Sequence, residues 1–164
     1  MKLLSTQNTP LLMTELYAIR EYRKTGDDRS LVFSSFLRSY VGAHTRQAHR
    51  LPQFWQRIPH SVIFKEYEGR WERALEHPDT RVIMAVLPSD PDEIMGWMAY
   101  RPGMLLYVFV KRNWRKLPGM NIASSLWDYA SGDIESTGRI ATPFSTYAGL
   151  KWLDKVRHGP SNSP

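Results

Sequence analysis

The sequence predicts a mixed α/β protein of the α+β kind: a mostly antiparallel central sheet flanked by helices. Two observations carry this. Three apolar runs of strand length, Arg81 to Leu87, Ile94 to Tyr100 and Met104 to Val110, follow one another with only short turns between them. On either side of them the apolar residues recur at helical spacing instead. Connections of a few residues can join only antiparallel neighbours, so the three runs form a meander.

The elements follow in chain order. Leu16 to Tyr22 reads as an opening strand, and Lys24-Thr25-Gly26-Asp27-Asp28 as the turn after it. Asp28 is placed to cap a helix in which Phe33, Phe36, Leu37, Tyr40 and Val41 share one face, with Gly42 as the stop. Pro52 and Pro59 bound a loop containing Phe54 and Trp55. Ile63, Tyr67, Trp71 and Leu75, each four residues from the last, then mark a second helix that ends before Pro78. Their spacing makes them core residues rather than a stacking platform.

In the meander, Ser89-Asp90-Pro91-Asp92 and Arg101-Pro102-Gly103 are the turns. A helix over Ile122 to Ala130 places Ile122, Leu126, Tyr129 and Ala130 on one face, and Ser131-Gly132-Asp133 ends it. Arg139 to Phe144 reads as a short strand, parallel to the third meander strand because a helix makes the crossover. Tyr147 to Val156 is a last helix with Leu150, Leu153 and Val156 facing inward. Residues 1–158 form one domain, and 159–164 (Gly-Pro-Ser-Asn-Ser-Pro) have the composition of a flexible tail.

Composition narrows the function classes. The chain has 164 residues, 42% hydrophobic and 23% charged, as expected of an ordinary globular domain. No apolar run approaches the roughly 20 residues of a membrane helix, and the N-terminus lacks a secretory pattern, so a cytoplasmic protein is expected. With no cysteine there is no disulfide, thiolate metal site or cysteine nucleophile. The five histidines have no ligand spacing, so no metal is expected. A Gly-x-Ser-x-Gly elbow and a Walker loop are both absent.

The net charge of +6 is clustered. No acidic residue lies between Asp28 and Glu66, a span that holds Arg29, Arg38, Arg46, Arg50, Arg57 and Lys65. Such a face suits an acidic protein partner. Nucleic acid is not expected there, because the interleaved aromatics sit at core spacing or beside prolines. Lys111, Arg112, Arg115 and Lys116 form a second cluster directly after a strand and before a helix. That order presents free helix amides and positive charge to a phosphate.

The order of elements, and the run Tyr107-Val108-Phe109-Val110-Lys111-Arg112-Asn113-Trp114-Arg115-Lys116-Leu117 leading to Ile122-Ala123, resemble the GNAT (acyl-CoA N-acyltransferase) superfamily over roughly residues 15 to 158. The segment also resembles small phage-encoded GNAT-like proteins, which would place the chain in a host cytoplasm or a virion. The resemblance implies acetyl-CoA as cosubstrate and an amine of a small molecule or protein as acceptor. It assigns coenzyme contacts to Phe109, Val110, Arg112, Arg115, Lys116, Leu117, Gly119, Asn121, Ile122 and Ala123, with the backbone of Phe109 and Val110 pairing with the pantetheine arm.

Two departures stand out. Pro118 replaces the family's glycine and three extra residues lengthen the loop, so Gly119 restores the turn only if the loop bulges outward. Trp152 occupies the position of the family's proton-donating tyrosine, which leaves Tyr147 as the substitute donor. Glu68, with Glu66 and Glu93, is a candidate base. The chain is also short after the last helix by the family's standard, so an acceptor pocket would come from the front half, from a partner subunit, or not exist. The alternative is an inactive GNAT-fold interaction or virion-associated protein that uses its basic face.

Overall fold

A computed structural model describes residues 10–42 and 57–159. Five strands pair in sequence order as an antiparallel sheet: β1 (Leu12–Met13), β2 (Ala18–Glu21), β3 (Arg81–Leu87), β4 (Asp90–Arg101) and β5 (Met104–Val110). The opening strand is thus shorter than the sequence suggests and is preceded by the small β1. Helices α1 (Asp27–Phe36), α2 (His60–Glu76), α3 (Ile122–Ile134) and α4 (Tyr147–His158) flank the sheet. A π-helical turn, Leu37–Val41, extends α1.

Alternation along the strands divides the core into two layers. Val82, Met84, Trp97 and Ala99 pack under α1 and α2, against Val32, Phe36 and Trp71. Ile83, Ala85, Met98 and Tyr100 pack under α3 and α4, against Leu126, Ala130, Ile134 and Leu153. The aromatic spacing of α2 is core spacing, as expected: Trp71 is fully buried and stacks on Phe36 with ring centroids 4.1 Å apart.

Several boundaries differ from expectation, each for a physical reason. Asp28 does not cap α1. It lies inside the first turn, drawn inward to the guanidinium of Arg20, with Nη1 to Oδ2 at 2.6 Å and Nη2 to Oδ1 at 2.9 Å. Gly42 keeps helical dihedrals instead of stopping the helix. The first meander turn is Pro88-Ser89 alone, since Asp90 already pairs with Leu87. The second turn falls at Pro102-Gly103, where Gly103 takes φ +72°. Ser131-Gly132-Asp133 does not end α3, because Ile134 completes its apolar face and is fully buried. Leu150 is exposed rather than inward-facing.

The largest difference concerns Arg139 to Phe144. Only Ala141 meets β5, in a single parallel bridge to Met104. The Leu105 N–H donates to the Ala141 carbonyl at 3.0 Å, and the Ala141 N–H donates to the Gly103 carbonyl at 2.9 Å. The direction is the expected one, but no strand follows. Pro143 has no N–H to continue the ladder, and the chain leaves the sheet there.

The expected 159–164 tail lies outside the described residues beyond Gly159, as do Pro52, Phe54, Trp55, Arg46, Arg50, His44 and His49.

Candidate active site

The departure of the chain after Ala141 opens a gap along β5. Its inner part is a slot of about 40 Å³ between Leu105–Val108 and Thr142–Thr146. It leads into a cleft of about 450 Å³, walled by β5 from Tyr107 to Val110, by Trp114 and Arg115, by the start of α3, and by Thr146, Gly149 and Trp152. Ser39 of the π-helical turn reaches the cleft from the other face of the sheet. Tyr107, Val108, Thr146 and Gly149 line both spaces.

The register decides which backbone groups of β5 face this cleft. Gly96 is opposite Val110 and Trp97 opposite Phe109, while the Lys111 N–H donates to the Met95 carbonyl at 2.9 Å. Antiparallel alternation then turns the backbone groups of Tyr107, Phe109 and Lys111 toward β4 and those of Val108 and Val110 toward the cleft. Of the two residues expected to pair with an extended ligand, Val110 therefore presents its backbone and Phe109 does not. Val108, which the sequence reading omitted, has the same outward parity.

Arg115 folds back over this edge. Its Nε donates to the Val110 carbonyl at 2.7 Å, and its guanidinium lies 5.8 Å from the centre of the Phe109 ring. Lys111 is held by Glu93 at 3.1 Å, whereas Arg112 and Lys116 are exposed.

The inserted residues form a closed turn. The Met120 N–H donates to the Leu117 carbonyl at 3.1 Å, with Pro118 and Gly119 between them and Gly119 at φ +77°. A side chain at Gly119 would meet nothing within 4 Å, so the turn points into open space. The first bond of α3 runs from the Ser125 N–H to the Asn121 carbonyl at 2.9 Å. The amides of Ile122, Ala123 and Ser124 are left as the helix's free donors. Asn121, Ile122 and Ala123 line the cleft; Leu117 and Gly119 do not.

Neither expected catalytic side chain reaches the cleft. Tyr147 is 67% exposed and lies beneath Lys151, 5.1 Å from its ammonium. Glu68 is exposed on α2, away from the lining residues. Glu66 pairs with Arg70, and Glu93 with Lys111. Among the described residues no carboxylate lines the cleft, and the undescribed residues 1–9, 43–56 and 160–164 contain no Asp or Glu. Of the basic face, Arg29 is paired with Glu72 at 2.7 Å, and the arginines at its centre lie outside the described residues.

The sequence reading missed Tyr107 and Ser39. The Tyr107 hydroxyl and Ser39 Oγ lie 2.9 Å apart. Burial pushes the Tyr107 phenol up, opposed by the Ser39 hydrogen bond and the charge of Arg115. Nearby, burial and the neighbouring Tyr67 push Tyr40 up to about 12. Position 107 sits in a run that reads as pure strand core. Only the break imposed by Pro143 hints that the residues beside it border an opening.

A five-stranded antiparallel sheet with helices on both faces, and a gap beside the last strand, is the fold of the acyl-CoA N-acyltransferases. Solved structures agree. An assigned acetyltransferase from Clostridium acetobutylicum, determined with acetyl-CoA, superposes with TM-score 0.56 at 14% identity, covering 91% of this chain and 94% of that one. An assigned acetyl transferase from Pyrococcus furiosus gives TM-score 0.51 at 14% identity, covering 90% of this chain and 95% of that one. No family model matches the sequence, and no curated protein matches it significantly. No helix among the described residues is long and apolar enough to cross a membrane.

Proposed function

We propose that the chain is an acyl-coenzyme A-dependent N-acyltransferase that moves an acetyl group from acetyl-CoA to an amine of a small molecule or protein. The observation that carries this reading is the edge of β5 at Val108 and Val110, which no strand among the described residues covers, running along a cleft that ends at the free amides of α3.

These residues suit a coenzyme. The Ile122 and Ala123 amides and the helix dipole would hold the pyrophosphate. Ala123 is small enough to let the backbone approach it. Arg115 and Lys116 would add charge, and Arg112 is free to meet a 3′-phosphate. The pantetheine arm would pair with Val110 and Val108 like an added strand. Arg115 has to leave the Val110 carbonyl for that pairing, which brings its guanidinium to the phosphates.

When bound, acetyl-CoA supplies an activated thioester. The acceptor nitrogen forms its C–N bond as the C–S bond breaks, and the proton lost from nitrogen is matched by one gained at sulfur. With no carboxylate at the cleft, the acceptor reacts as its neutral amine. Phe109, Trp114 and Trp152 give the cleft apolar walls.

Titration of the protein with acetyl-CoA tests the reading, by calorimetry and by thermal shift. At a hundredfold excess over the dissociation constant, binding stabilises the fold by about 2.7 kcal/mol. The double substitution Arg115→Ala, Lys116→Ala weakens binding about tenfold or more, as expected for lost charge-assisted contacts. Absence of any shift at millimolar coenzyme would sink the reading. The chain would then be a fold without coenzyme chemistry.

A further inference from the structure

We propose that Tyr107, positioned by Ser39, is the proton donor to the departing thiolate. This inference rests on the coenzyme reading of the cleft.

The position where the resemblance places a tyrosine donor holds Trp152. Its indole Nε1 is buried with no hydrogen-bond partner among the described residues, and it cannot give up a proton usefully to a thiolate. The exposed Tyr147 lies outside the cleft. Among the described residues that line the wider cleft, three side chains carry an O–H: Ser39, Tyr107 and Thr146; Thr142 and Ser145 border only the inner slot. Thr146 caps α4, its Oγ1 accepting the Gly149 N–H at 3.1 Å. Tyr107 is the most acidic of the three by chemical type.

Its location fits the path of the coenzyme. With phosphates at Ile122 and Ala123 and the arm running back along Val110 and Val108, the reactive end arrives at Tyr107. That is about 10 Å from Val110 at the usual rise of a strand. Tyr107 also borders the inner slot, so it stands where the slot meets the cleft.

Ser39 holds the phenol in place. Its hydroxyl donates to the Ser35 carbonyl at 2.5 Å, so in the pair with Tyr107 it accepts. The π-helical turn Leu37–Val41 brings Ser39 to this spot, an irregularity common at functional sites. The phenol hydrogen can swing from Ser39 to a sulfur by rotating about the C–O bond, and Ser39 keeps its own bond to Ser35. As the C–S bond breaks, its electron pair stays on sulfur, which takes the Tyr107 proton. The phenolate recovers a proton from the newly acylated nitrogen. Arg115 is the charged group facing Tyr107, and Tyr40 is the other ionisable group beside it.

The test needs no acceptor. Free coenzyme A is bound to the full chain, and its thiol is titrated by the ultraviolet absorbance of the thiolate. A donor at the sulfur stabilises the thiolate, so the bound thiol titrates about one unit lower in the native protein than in Tyr107→Phe. Ser39→Ala falls between them, because the phenol is present but less well placed. Tyr147→Phe titrates like the native protein. Acetyl-CoA affinity, measured alongside, changes less than about threefold in Tyr107→Phe, since a thioester sulfur is a weak acceptor. Equal thiol titration in native protein and Tyr107→Phe, with acetyl-CoA still bound, would overturn the role of Tyr107 alone. If the native protein binds neither coenzyme A nor acetyl-CoA, this proposal falls together with the reading on which it rests.

Discussion

Two buried polar contacts on the same sheet differ in how completely they are satisfied. Between β2 and α1, Arg20 is 1% exposed, and its guanidinium reaches both Asp28 oxygens, the Pro91 carbonyl and the Glu21 carbonyl. Asp28 accepts in addition from the Arg23 N–H at 2.8 Å. Four of the five guanidinium N–H groups are thereby bonded and both side chains are almost wholly buried, which closes the contact to a ligand. Between the π-helical turn and β5, Tyr107 and Ser39 share one bond, and the phenol keeps lone pairs and a rotatable hydrogen beside an open cleft. A saturated contact can only hold parts together. An unsaturated one beside a cavity can also exchange a partner.

Breaking the saturated contact has the larger expected effect. Asp28→Ala leaves the Arg20 charge buried and unpaired, and a cost of about 3–5 kcal/mol is expected. Denaturant unfolding monitored by tryptophan fluorescence measures it as a drop in midpoint with little change in slope. A loss below about 1 kcal/mol would mean that Arg20 finds water or another partner, and the contact would not be the rigid one described.

The same pair makes a pH prediction. Burial works to raise the Asp28 pKa, but the hydrogen bonds from Arg20 and Arg23 and the Arg20 charge outweigh it and hold the carboxyl below its ordinary 3.8. A group with a depressed native pKa contributes stability that is complete above its unfolded value and is lost as pH falls through the native one. Stability should therefore fall below about pH 4 as Asp28 protonates. Asp28→Asn should flatten that part of the profile while lowering its plateau. Parallel profiles for the two proteins would assign the acid sensitivity to other carboxylates.

How far the sequence reveals each contact differs as well. The helices and the meander were legible because burial dictates residue type at fixed spacing: Trp71, Ile122 and Leu126 are apolar where the faces meet. The basic loop before α3 was legible because the residues that shape it are consecutive. The Tyr107–Ser39 contact was not, because the two residues are 68 positions apart, on different faces of a strand and a helix, and each has an ordinary structural use. The Arg20–Asp28 pair is only eight positions apart and was hidden for a different reason: Asp28 passed for a helix cap. The cleft itself follows from a strand that does not form. Arg139 to Phe144 looks like a strand by composition, and only Pro143 marks where pairing stops.

The smallest effect should come from the unsaturated contact, measured in a double-mutant cycle. Tyr107→Phe removes one hydrogen bond between neutral groups, worth about 1 kcal/mol net. Ser39→Ala removes the same bond and also one from the hydroxyl to its own helix, which competes with the backbone and adds little. The coupling between the two changes should therefore stay near or below about 1 kcal/mol in the free protein. Bound coenzyme A sharpens the comparison. If the phenol turns from Ser39 to the thiolate, the stability coupling between positions 107 and 39 shrinks when the thiolate form is bound, while the Arg20–Asp28 contribution is unchanged. A coupling that is the same with and without ligand would mean that Tyr107 and Ser39 form a second structural contact, saturated in the way Arg20 and Asp28 are.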